Sequence, residues 1–245
     1  MADFPLISPM GERAILIDFG QDYSPEKLRE LLFYKKLLEK ELLKETVEVI
    51  NTYNSLLIIY VFTIEDIYSE VSKLKGLFKN ANIPKKINSQ IFYLPVCYDE
   101  DFGPDLKLIS EEKNIGIDEI IRLHTTPLYQ IYFIGFLPGF LYLGGLDERL
   151  HISRKKTPRK SVEKGSVGIG EKQTGIYPKS SPGGWQILGR CPVDLFDKNM
   201  DPPTRFSAGD KIRFYSVSKD EFFKIKEEVE NGNYELKSET YESGN

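Results

Sequence analysis

The sequence predicts an α+β N-terminal domain of ferredoxin-like order over residues 1–88, followed by a mainly-β domain over residues 89–245. Three observations carry this. Up to about residue 97 the hydrophobic period switches between that of strands and that of helices in the order βαββαβ. From Ile131 to Asp197, glycine and proline punctuate short β-branched and aromatic runs, the pattern of tight turns between short strands. Between the two lies a polar stretch near residues 82–89 that carries Pro84, where the domain boundary is placed.

Taken in order, GERAILIDFG (11–20) opens as a polar turn and runs into an apolar strand. Ser24-Pro25-Glu26-Lys27 is a helix start, with Ser as N-cap and Pro in the first turn. The helix continues through LRELLFYKKLLEKELL with leucines at helical spacing. Strands Thr46 to Asn51 and Ser55 to Phe62 follow around a turn near Thr52-Tyr53-Asn54. A second amphipathic helix starts at Thr63, where Glu65 and Asp66 favour the positive helix end, and runs to about Asn80. Strand Gln90 to Cys97 completes the βαββαβ order. The helical pattern returns over Asp105–Asn114 and Ile117–His124, with Gly116 expected as a C-cap between them. Short strands continue to about Ser216. Lys219 to Glu230 reads as a terminal surface helix, and Asn231 to Asn245 as a polar tail with at most one strand. Turn spacing by itself gives an all-β second domain, closed or sandwiched.

Composition excludes several functions. The formal charge is −4, and the stretch from Lys219 onward, with eight acids and four lysines, accounts for all of it. The rest of the chain is formally neutral, which gives no reason to expect nucleic-acid binding. The longest apolar run, Leu56 to Phe62, is far short of the roughly 20 residues that span a bilayer. The N-terminus lacks a basic segment followed by a long apolar core. With only two cysteines, Cys97 and Cys191, buried reduced thiols are expected, and the protein reads as cytoplasmic. The two histidines, His124 and His151, with no HExxH or CxxC, give no His-rich or structural zinc site and leave only a carboxylate-bound ion open. Glu171 follows Gly170 where a phosphate-binding loop needs Lys. Gln173 stands where a dinucleotide fingerprint needs Gly. Lys164 replaces the first glycine of a GxSxG elbow around Ser166.

A series of words built from rare residues runs through the second half. Gly135-Phe136-Leu137-Pro138-Gly139-Phe140 is followed by Tyr142-Leu143, Pro158-Arg159 and Gly165-Ser166-Val167. Gln173-Thr174-Gly175-Ile176-Tyr177-Pro178, Ser181-Pro182-Gly183-Gly184-Trp185 and Gly189-Arg190 come next. Upstream stand Pro95-Val96-Cys97-Tyr98, Gly103-Pro104-Asp105-Leu106 and His124. In these words the chain resembles the KipI / allophanate-hydrolase-subunit-1 family, whose members are also called 5-oxoprolinase B subunits (PxpB-like). The resemblance covers most of the chain and is weakest before about residue 90. Two departures stand out: Ser153-Arg154 where the family usually has Pro-Arg, and Cys191 where it usually has Thr.

The resemblance implies a cyclophilin-like β-barrel for the second domain. It also implies one component of an ATP-dependent 5-oxoprolinase that opens 5-oxo-L-proline to L-glutamate. The partners would be a homologue of KipA (allophanate hydrolase subunit 2) and the LamB/YcsF-type A subunit of 5-oxoprolinase. ATP would be bound by the complex, not demonstrably by this chain. Two other implied readings are an inhibitor of a sensor histidine kinase and allophanate hydrolase subunit 1.

The residues themselves leave alternatives open. Arg154-Lys155-Lys156-Thr157-Pro158-Arg159-Lys160 is either an anion site, since Arg matches carboxylate and phosphate with a fork of donors, or a solvated basic loop. In either case Lys155, Lys156 and Lys160 are expected to face solvent. Arg159 and Arg190 are the candidate anchors for a substrate anion, with Arg190 equally suited to a buried ion pair. Arg154 is a candidate substrate-binding cation of the same run, and Gln173, Thr174 and Tyr177 are candidate orienting groups for a small polar substrate or plain partners of a strand corner. His124, at a helix end, is a candidate general base, or else a cap or a partner to a backbone carbonyl. Phe136, Phe140 and Trp185 are candidate interface anchors or core aromatics.

Overall fold

The computed structural model describes residues 5–21, 24–79, 81–84 and 89–241. These fall into two compact units, one within Met1–Ile87 and one within Asn88–Glu242. Part of the stretch expected as a linker lies outside the described residues, as does the end of the expected tail.

The first unit runs β1 (Leu6–Pro9), β2 (Ala14–Asp18), α1 (Pro25–Glu41), β3 (Thr46–Asn51), β4 (Ser55–Tyr60) and α2 (Ile67–Lys79). Ser24 caps α1 as expected, its side chain accepting from the Lys27 N–H with Pro25 in the first turn. Leu28, Leu31, Leu32, Tyr34 and Leu38 form the buried stripe of α1, and Ile15, Ile17, Leu56, Ile58 and Tyr60 of the sheet are fully buried as well. The sheet order is β1-β2-β4-β3, antiparallel throughout. β1 has no counterpart in the sequence reading. Four residues ending in a proline are too short to show a period, and such a strand is stable only at an edge.

The second unit continues with β5 (Ser89–Val96), α3 (Leu106–Lys113), α4 (Ile117–Thr125), β6 (Tyr129–Ile134) and β7 (Leu141–Gly144). It goes on through β8 (Arg159–Val162), β9 (Ser166–Gly170), β10 (Gln173–Ile176), β11 (Ser181–Gly183) and β12 (Gln186–Arg190), and ends with β13 (Lys211–Ser216), α5 (Lys219–Glu230) and β14 (Ser238–Tyr241). Eight strands form one mixed sheet in the order β12-β9-β10-β7-β6-β13-β5-β14, while β8 and β11 pair separately. β5 is the strand expected to complete the first module. It instead runs parallel to β13 in register from Lys211↔Ile91 to Ser216↔Val96. Its burial on both faces, with Ile91, Phe92, Leu94 and Val96 all interior, is what a parallel central strand requires. Just past β5, Cys97 bridges Arg190 at the end of β12 through two 2.9 Å backbone hydrogen bonds. The two ends of the seven-strand run from β12 to β5 therefore meet. Inside lies a core that includes Leu94, Ile131, Leu143, Ile169, Leu188 and Phe214.

Two helix ends refine the sequence reading. Asn114, in the left-handed region at φ 54°, ends α3, and Gly116 precedes α4 with an extended backbone; the expected C-cap glycine is an N-cap. α5 opens on a reciprocal capping box between Ser218 and Glu221. Ser218→Ala should lower stability by about 1 kcal/mol, read as a shift in the urea midpoint with unchanged m.

Candidate functional site

The basic run 154–160 folds around Gly184-Trp185. The Lys155 N–H donates to the Gly184 carbonyl at 2.7 Å. The Arg159 Nη1 lies 3.4 Å from the Trp185 carbonyl, and the Arg154 guanidinium stands 5.8 Å above the indole. Beneath them sits Asp105, 3% exposed. Its Oδ1 accepts from Arg159 Nη2 at 2.7 Å and from Lys155 Nζ at 3.0 Å, and its Oδ2 accepts from the Ile187 N–H at 2.7 Å. Burial works against this carboxylate, but the Arg159, Ile187 and Lys155 donors outweigh it and hold its pKa below the ordinary range. Lys155, expected in solvent, is thus an ion-pair partner, while Lys156 and Lys160 are exposed as expected. Among the described residues Arg154 pairs with no carboxylate. Two cations share the Asp105 carboxylate and a third, Arg154, stands over the adjoining indole, a surplus of positive charge that suits a small anion.

The aromatic face explains the glycine words. A Cβ on Gly170 would lie 2.7 Å from the Trp185 ring, and one on Gly175 3.1 Å from it; the indole rests on strands that must lack side chains there. Phe140, Tyr177 and Trp185 pack with Val162 and Ile187 in one cluster, each at most 4% exposed. This corrects two expectations. Tyr177 is not open to substrate, and Phe140 and Trp185 are core anchors rather than partner contacts, because their area is already spent within the chain. Phe136 differs: it is 65% exposed with its backbone at φ 67°, an unfavourable setting for a bulky residue. Gln173 is half-buried, and its Oε1 has no hydrogen-bond partner.

His124 and Thr174 are both fully buried. Thr174 Oγ1 donates to the Gly168 carbonyl at 3.0 Å, so at 2.9 Å it must accept from His124 Nε2. That places the ring proton on Nε2 and leaves Nδ1 to accept from the Tyr98 hydroxyl at 2.7 Å. The ring stacks on Phe214 at 4.8 Å, and burial pushes its pKa down to about 3. With both nitrogens committed inside the core, His124 is no general base and Thr174 no substrate contact; together they tie α4 to β9 and β10.

Arg190 is held elsewhere. It pairs with Glu163 and lies 4.9 Å over the Phe102 ring, so Arg159 and Arg190 serve different carboxylates and do not form one anchor. Cys97 and Cys191 are buried and free, with the Cys191 thiol pushed up to about 12 by burial; they pack, as expected. Among the described residues no group of acidic, histidine or cysteine side chains could hold a metal ion, and no helix is long and apolar enough to cross a membrane. Asp105 is the residue that sequence reasoning misses. Its only signal is its place in the Gly103–Leu106 word.

Residues 5–206 match the family described as carboxyltransferase domain, subdomain C and D, the class in which this two-unit α+β architecture stands. The solved urea carboxylase of Kluyveromyces lactis shares the fold, with a TM-score of 0.82 at 20% identity over 97% of this chain and 24% of that one. The chain belongs to the family of 5-oxoprolinase B subunits. It is 33% identical to the B subunit of 5-oxoprolinase from Bacillus subtilis (strain 168) over 234 residues, 91% of this chain and 97% of that protein. With the corresponding B subunit from Haemophilus influenzae (strain ATCC 51907 / DSM 11121 / KW20 / Rd) the identity is 38% over 208 residues, covering 85% and 96%.

Proposed function

We propose that the chain acts as the B subunit of an ATP-dependent 5-oxoprolinase, binding the carboxylate of 5-oxo-L-proline at the Arg154–Lys155–Arg159 cluster. As a member of the family of 5-oxoprolinase B subunits, it is one component of a hydrolase complex. The observation that carries the assignment to this site is Arg154, a cation with no carboxylate of its own among the described residues, standing over Trp185. The lactam is resonance-stabilised, so ATP cleavage supplies the drive for opening, and fixed donors stabilise the oxyanion that develops. The chain's glycine-rich words carry no phosphate-loop lysine, so ATP belongs to the complex. The finer reading of the fold is a ferredoxin-like first domain, its fourth strand replaced at the sheet edge by β1, and a cyclophilin-like barrel closed at the Cys97–Arg190 bridge. The domains are 1–88 and 89–245, in a cytoplasmic protein.

The partners are a KipA-type protein and the LamB/YcsF-type A subunit, and Phe136 is the contact to the former. An exposed aromatic held at positive φ costs about 1–3 kcal/mol, a cost that burial against another chain offsets. Phe136→Asn should therefore raise Tm by a few degrees, because Asn tolerates the left-handed region, and weaken association with the partner at least tenfold. Association at wild-type strength would rule this contact out. The function is tested by mixing the purified subunits, omitting each in turn, and measuring ATP-dependent glutamate release from 5-oxoproline. Activity should vanish when this chain is left out. Full activity without it would favour the histidine-kinase inhibitor reading, checked by autophosphorylation of the cognate kinase.

A further inference from the structure

The segment before α3 is pressed onto β12. A Cβ on Gly103 would lie 2.2 Å from the Leu188 carbonyl oxygen and 2.6 Å from Leu106 Cδ1, so only glycine lets the chain approach that closely. Asp105 then clamps to one residue of the strand twice: its N–H donates to the Ile187 carbonyl at 3.1 Å, and its Oδ2 accepts from the Ile187 N–H at 2.7 Å. This fixes the carboxylate to the sheet before any cation reaches it. The remaining oxygen, Oδ1, takes both Arg159 and Lys155. Each of those is fastened a second time to the same strand region, Arg159 at the Trp185 carbonyl and Lys155 at the Gly184 carbonyl. A carboxylate under an anion site would be counterproductive if it neutralised the site. Here one negative charge orders two cations, Arg159 and Lys155, and Arg154 over Trp185 remains without a carboxylate among the described residues.

We infer that Asp105 is a positioning residue for the anion site, setting through Arg159 and Lys155 the place where a substrate carboxylate meets its donors without itself touching the substrate. The inference rests on the reading of that cluster as the carboxylate site. Its competitor is a plain strut that ties residues 154–160 to β12.

The reconstituted complex separates the two in a double-mutant cycle of Asp105→Asn and Arg159→Lys, assayed well below the lowest Tm of the set. Positioning predicts that Asp105→Asn raises KM for 5-oxoproline about tenfold with kcat within about twofold. It also predicts that the double variant is little worse than the worse single, since both act through one contact. A strut predicts a lowered Tm with KM unchanged, or effects that add, and either result overturns the inference. Trp185 is the only tryptophan of the chain, so its emission reports binding without catalysis. A wild-type chain whose emission responds to neither 5-oxoproline nor acetate removes the carboxylate-site reading itself. A wild-type response matched in full by Asp105→Asn removes the role of Asp105 alone.

Discussion

Replacing Arg154 with alanine should raise the KM of the reconstituted complex for 5-oxoproline by about thirtyfold while moving Tm by no more than about 2 °C. A hydrogen bond to a charged group is worth about 1.5–3 kcal/mol, which is roughly tenfold to a hundredfold in binding. The low structural cost follows from the surroundings. Arg154 is exposed and its one described contact is the indole face at 5.8 Å, an interaction of about 0.5–1 kcal/mol at an exposed site. Arg159 is the wrong residue for this test. Its removal leaves a carboxylate 3% exposed with only Lys155 and one N–H, and breaking such a pair costs about 3 kcal/mol even before any effect on substrate. Arg159→Ala should therefore lose activity and stability together, and its activity alone decides nothing. An Arg154→Ala complex with wild-type KM and kcat would remove the cluster from the active site.

Those two arginines show how far the sequence carries. The run 154–160 is legible as an anion-site candidate because charge density is a local property. Which of its five cations is free is not legible, because that is decided by Asp105, which lies 54 residues from Arg159 and 82 from Ile187. The glycine words are readable as tight backbone but not as the bed of one indole, since the strand pairing that stacks Gly170 and Gly175 under Trp185 is non-local. Four of the five described α-helices are legible to within about two residues, because capping and periodicity act within a few positions; α2 begins at Ile67 rather than at the expected Thr63, so Glu65 and Asp66 precede it. β5 is legible as a strand and misplaced as to its sheet. Its own residues set its conformation; its neighbour β13 lies more than a hundred residues downstream.

Lowering the pH from 7 to 5 should destabilise the protein through His124, and the effect should disappear in His124→Gln. The folded-state pKa of His124 is pushed down to about 3, against about 6.5 in the unfolded chain. Between those values the unfolded state binds a proton and the native state does not, so the stability due to a neutral His124 is complete above about 6.5 and lost as pH falls toward 3. The slope is about 1.4 kcal/mol per pH unit, which gives about 2 kcal/mol by pH 5 and about 5 by pH 3. The physical cause is the hydrogen-bond chain: Tyr98 donates to Nδ1 and Nε2 donates to Thr174, so a second ring proton has no acceptor. Asp105 works in a lower window. Its folded pKa is depressed, so its contribution is present above about 4 and fades only as pH falls below that, outside the range from 7 to 5 in which His124 acts. Urea unfolding at pH 7 and pH 5 measures the difference. His124→Gln keeps a donor for Thr174 but strips Tyr98 of its acceptor, so it should be less stable than wild type at pH 7 and yet lose about 2 kcal/mol less on acidification. A variant that tracks the wild-type pH slope would mean that His124 can take a proton in the native state, and would return it to the groups able to act as a base.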